Sequence, residues 1–146
     1  MIRGALAILA GIVTLTITSF AIEAAVDPLM TRLFPHALPN RAAISYNLSA
    51  TLFLFSYTFL CVAAGGYVTA WLARRRPVLH SLLLGVLQVA LTVLAMTSSS
   101  LRHEAPLRNW IGALLFTIPA AWCGGLLRAK QATKSDPQEA PRRATA

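Results

Sequence analysis

The sequence predicts an all-α integral membrane bundle of four transmembrane helices, with both termini cytoplasmic. Three observations predict it. Only 12% of the 146 residues are charged, about half the share of an ordinary soluble domain, which runs near ~25%. The mean hydropathy is +0.61. The charges that remain are gathered between four apolar stretches, each close to the ~20 residues that a helix needs to cross a hydrocarbon core about 30 Å thick. A soluble enzyme, a nucleic-acid-binding domain and a disulfide-stapled secreted module are thereby excluded. The net charge of +8 sits between the spans, where basic residues act as orientation signals. The stretches lack the alternation of a membrane barrel strand, so helices are the only spanning form open to them.

Span one covers about 4–26. It begins after Arg3 and meets no charge until Glu23. That run exceeds the ~7–15 apolar residues of a cleavable secretory signal, so it reads as a retained helix. An external connection from Asp27 to Asn47 follows, interrupted by Pro28, Pro35 and Pro39. Within it Leu29, Met30, Leu33 and Phe34 read as a helical turn or two lying on the membrane surface. Span two covers about 48–73 and ends in the basic turn Arg74-Arg75-Arg76-Pro77. Pro77 suits the first turn of span three, where its missing N–H costs nothing. Span three covers about 78–98 and span four about 108–128, with Pro119 predicted to kink the latter by freeing the Leu115 carbonyl. These four spans form a transmembrane domain over 1–128. Residues 129–146, rich in Ala, Pro and charge, read as a disordered basic cytoplasmic tail.

Charge sets the orientation. Nine basic residues (Arg3, the Arg74–Arg76 triplet, Arg128 and four in the tail) fall on one side, and Arg32, Arg41, Arg102 and Arg108 on the other. The positive-inside rule then makes both termini cytoplasmic. Tyr46 and Trp110 near the outer ends, and Tyr67 and Trp71 near the inner end of span two, are placed to anchor rings at headgroup level.

Hydrocarbon gives little hydrophobic drive between helices, so small and polar residues mark the packing faces. Ser81, Gly85, Gln88, Thr92, Ala95 and Ser99 share one face of span three. Ser49, Ser56, Ala63 and Ala70 recur every seventh residue in span two, with Gly66 on the same side. Ala7 and Gly11 form a small-xxx-small pair in span one. Gly65-Gly66 and Gly124-Gly125 occupy matching places in their spans, a weak sign of two related hairpins.

Four residues are candidates for function or for ion pairing: Glu23, Asp27, Gln88 and Pro119. Glu23 and Asp27 lie one turn apart at the outer end of span one. There they serve either as partners of an external arginine or as handlers of protons or cations, since an intramembrane carboxylate is expensive to keep for nothing. Gln88 reads first as an interhelical hydrogen bond, and Pro119 as a tolerated kink or a hinge. Arg74, Arg75, Arg76, Arg128 and Lys130 are placed to hold anionic lipid headgroups, at ~1 kcal/mol each. His36, His103 and Glu104 match no metal-ligand spacing, so no metal and no cofactor is expected. Cys61 and Cys123 read as packing residues. Neither a nucleophile elbow nor a phosphate loop nor an HExxH helix occurs.

Several of these residues fall into a recurring order. Glu23 is followed by Phe34-Pro35, then Gly65-Gly66, then Arg74-Arg75-Arg76-Pro77 with His80 and Gly85. Pro106 with Trp110 and Pro119-Ala120-Ala121 with Gly124 complete it. In this order the chain resembles a family of small uncharacterised bacterial integral membrane proteins with four predicted transmembrane helices. The resemblance covers about residues 1–128 and implies a multi-pass protein of the bacterial inner membrane. The expected function is a non-enzymatic accessory or scaffold component acting through helix contacts, its partners being the bilayer and a membrane protein or a second copy. The alternative is a small oligomeric transporter or ion-conducting protein using Glu23 and a polar internal face. The small multidrug-resistance transporters also have four spans and a Glu in span one; here Glu23 lies at the helix end, and the charge bias fixes one orientation.

Overall fold

A computed structural model describes residues 2–36, 46–73, 76–97 and 106–134. It contains α1 (Ile2–Leu33), α2 (Leu48–Leu72), α3 (Pro77–Thr97) and α4 (Leu107–Lys134). The chain is all-α in its described residues, and each of these four helices is long and apolar enough to cross a membrane. Pro39, Arg41, Arg74, Arg75, Ser99, Arg102, His103, Glu104 and the tail from 135 lie outside the described residues, as do the side chains of Arg3 and Lys134.

Local chemistry sets the helix ends. Asn47 has an extended backbone, and its side-chain oxygen accepts from the Ala50 N–H at 3.2 Å, an N-cap for α2. Pro77 opens α3 as expected. The turn before it holds Arg76 at φ 52°, a left-handed conformation that costs a non-glycine residue ~1–2 kcal/mol. In return the Arg76 carbonyl accepts from the N–H groups of Leu79 (3.1 Å) and His80 (3.3 Å), and the His80 ring Nδ1 lies 3.1 Å from it.

Two helices run further than the sequence pattern predicts. α1 continues through Pro28 to Leu33, so Leu29, Met30 and Leu33 belong to the same helix instead of a separate surface turn. A proline removes one rung of the ladder, and the Thr31 hydroxyl donates to the carbonyls of Asp27 (3.2 Å) and Pro28 (3.1 Å) just beyond it. At 32 residues α1 is about 48 Å long, so its last turns project beyond a core of about 30 Å. α4 likewise runs on to Lys134; the stretch Ala129–Ala132 is made of strong helix formers, which favour continuation over a disordered tail.

α2 is the central helix and packs on all three others; α4 also packs on α3, and the contact between α1 and α3 is slight. The contacts depend on missing side chains. A Cβ built on Gly65 would stand 2.9 Å from the Gly11 carbonyl oxygen, and one on Gly66 would stand 2.6 Å from that of Ala121. Gly11 faces the Thr69 hydroxyl, Gly124 faces the Ala63 carbonyl, and Gly125 faces the Ser81 hydroxyl. Around these contacts Ala7, Leu15, Val62, Ala70, Leu84, Ala120 and Ala121 are buried. Ser49 and Ser56 are exposed, which corrects the seven-residue series in α2. Ser56 lies roughly 180° round the helix from Gly65 at ~100° per residue, and the face that allows backbones to touch is the one turned inward. The rest of the surface is apolar: no more than 28% of the most hydrophobic window of any span is buried. Phe20, Leu60, Leu94 and Leu115 stand two-thirds exposed, as suits helices solvated by lipid tails.

These contacts predict a graded response to added bulk. Gly66→Leu must push α2 off the α4 backbone and should cost about 1–3 kcal/mol or more. Gly4→Ala meets only the end of the His80 side chain and should stay within about 0.5 kcal/mol. Unfolding midpoints of the two variants in one detergent check this ordering.

Candidate functional site

The fully buried residues of α1 and α3 gather in one half of the bundle. In the half that holds the N-terminus, α1, α2, α3 and α4 meet through Gly11, Gly65, Gly66, Leu84, Gly85 and Ala121. Toward the other end, no described residue of α1 after Leu15 is buried, and none of α3 after Gly85. α2 and α4 stay together there, with Thr51, Tyr57, Asn109 and Thr117 buried. Phe55 packs on Gly112 and on Phe116, the two rings 5.8 Å apart. Between these two helices a cavity of about 10 Å³ is lined by Thr58, Phe59, Val62, Ala113 and Thr117 among others, at the lower limit for one water.

The four candidate residues occupy three helices. Glu23 and Asp27 are half-buried late in α1, and both are engaged in interactions. Glu23 lies roughly 100° round the helix from the Gly11–Leu15 seam, off the face that packs on α2. Gln88 is half-buried at the centre of α3, three residues beyond Gly85 and seven beyond Ser81, on the inward face. Pro119 is inside α4 and exposed, one residue from the buried Ala120 and two from Ala121. Among the described residues no three His, Cys, Asp or Glu side chains are grouped to hold a metal ion. Cys61 is buried and Cys123 half-buried, both as free thiols.

Most hydroxyls are committed to their own helices. Thr14, Thr18, Ser56, Thr69, Ser81, Thr92, Thr97 and Thr117 each donate to a carbonyl three or four residues earlier, at 2.6–3.0 Å. Such bonds satisfy a polar group in hydrocarbon without leaving it available for chemistry. At the end that holds the N-terminus, the Tyr67 hydroxyl donates to Gln131 Oε1 at 2.6 Å, linking α2 to the extension of α4. The sequence pattern did not single out Gln131, because it falls in the stretch that reads as tail; seeing Ala129–Ala132 as helix formers would have placed it. Arg76 is exposed, Arg128 half-buried and Lys130 exposed at this same end. At the other end Arg108 donates to the Tyr46 carbonyl, tying α4 to the segment before α2. Tyr46 and Trp71 are exposed rings, whereas Trp110 is half-buried with its indole nitrogen enclosed.

Comparison with protein-family models, with curated proteins and with solved structures gives no match.

The interhelical link gives a direct prediction. Tyr67→Phe removes one exposed hydrogen bond and should lower stability by about 0.5–1 kcal/mol while leaving the helix content unchanged. Thermal unfolding followed by circular dichroism reads both.

Proposed function

We propose that this chain is a non-enzymatic component of the bacterial inner membrane, with both termini cytoplasmic, that acts through helix contacts as an accessory or scaffold subunit. The observation that carries the reading is the commitment of the polar groups. The hydroxyls bond back to their own helices, the glycines hold backbones together, and the side chains left facing outward are large and apolar. Surfaces of that kind recognise lipid and other helices. Arg74, Arg75, Arg76, Arg128 and Lys130 then meet anionic headgroups on the cytoplasmic side, which secures depth and orientation. Affinity purification of a tagged copy in mild detergent should return a second membrane protein at fixed stoichiometry. A pure homo-oligomer of this chain would remove the accessory reading.

A second reading, a small transporter or ion-conducting oligomer, is favoured by the half-buried Gln88 on the inward face of α3 and the half-buried Glu23 in α1. On this reading Glu23→Gln abolishes transport or a resistance phenotype at unchanged protein level. Loss of the protein itself would mark Glu23 as part of a structural ion pair.

A further inference from the structure

Thr58 stands near the middle of α2 and Thr117 near the middle of α4. Both line the cavity of about 10 Å³ between these two helices, whose other walls are apolar, chiefly Phe55, Phe59 and Phe116. The two hydroxyls are satisfied differently. Thr117 donates to the Ala113 carbonyl at 2.6 Å, so its proton is committed while its oxygen can still accept. Thr14, Thr69 and Thr92 follow the same pattern, each bonded to the carbonyl four residues earlier. Thr58 does not: its hydroxyl makes no hydrogen bond to any described residue.

Thr58 is half-buried and sits well inside a helix long and apolar enough to cross a membrane. Lipid tails offer no acceptor there, and a hydroxyl left without one is costly in hydrocarbon. A donor from α2 and an acceptor from α4 therefore line one small space. A buried water needs at least two polar partners and about 10–15 Å³. The two hydroxyls and the cavity volume meet both requirements, and the same volume excludes any organic molecule or hydrated ion.

We propose that this cavity binds one water molecule, which accepts from the Thr58 hydroxyl and donates to the Thr117 oxygen, bridging α2 and α4 inside the apolar core. In this half of the bundle α2 and α4 hold buried residues, while α1 and α3 hold none among the described residues. Contacts between phenylalanine rings tolerate some rotation of one helix about the other. A hydrogen-bonded bridge requires Thr58 and Thr117 to stay opposite each other, so the water fixes how α2 is turned against α4. The site goes beyond both readings of function and stands whichever of them holds.

Solid-state NMR of the full chain tests the site, with ¹³C-labelled threonine in bilayers of acyl-deuterated lipid. Magnetisation passed from water protons should reach Thr58 and Thr117 several-fold faster than Thr14, whose hydroxyl is closed onto the Ala10 carbonyl. Thr58→Val, which keeps the shape and removes the donor, should abolish the fast transfer to Thr117, and Thr58→Ser should retain it. Transfer to Thr58 and Thr117 no faster than to Thr14 in the unaltered chain overturns the proposal, and this comparison needs no variant to fold. Fast transfer to Thr117 that survives Thr58→Val also overturns it, since the two hydroxyls would then not share one water.

Discussion

The close approach of α2 to its neighbours at Gly65 and Gly66 is the contact on which the rest of the bundle depends. Lipid tails are as apolar as leucine, so burying leucine between helices gains little, and association must come from packing and polar contacts. Backbones touching across glycine maximise the number of atom pairs at van der Waals distance, each worth ~0.1–0.2 kcal/mol. A Cβ at Gly66 would reach to 2.6 Å of the Ala121 carbonyl, so any other residue there separates α2 from α4. The remaining core follows from that spacing: Ala120, Ala121 and Ala70 fit because the helices are too close for larger side chains.

The same spacing decides where polar groups can exist. In the half that holds the N-terminus the hydroxyls of Thr69 and Ser81 are fully buried and satisfied within their own helices. The central amide of α3, Gln88, falls one turn beyond Gly85 and is half-buried. The carboxylates Glu23 and Asp27 lie in the half away from the N-terminus, while Arg76, Arg128 and Lys130 lie in the half that holds it.

Much of this architecture is legible in the sequence. Four helices long and apolar enough to cross a membrane, and the buried Ser81–Gly85 face of α3, follow from hydropathy and from the 3.6-residue period. The Ala7–Gly11 pair also identifies the contacting face of α1. The face of α2 is misread at its two serines, because spacing alone cannot rank candidate seams; the deciding quantity is how near two backbones come, and on α2 that is nearest around Ala63, Gly65 and Gly66. The stretch from Asp27 to Leu33 is misread as part of a connection for a related reason. Proline signals a break in water, but in a long apolar helix the loss of one rung is less costly than exposing several backbone groups. The Tyr67–Gln131 link and the enclosed Trp110 nitrogen depend on how helices are rotated and staggered, which no single helix records.

The distribution of buried residues also constrains how the chain can interact. In the half that holds the N-terminus all four helices contribute buried residues, and the outer surface there is leucine-rich. In the other half α2 and α4 remain paired through Phe55, Gly112 and Phe116, while α1 and α3 carry no fully buried described residue. Contacts of this bundle with other helices or with lipid therefore run mainly through large apolar side chains, and bulk added at the glycine contacts reaches that surface only by shifting whole helices.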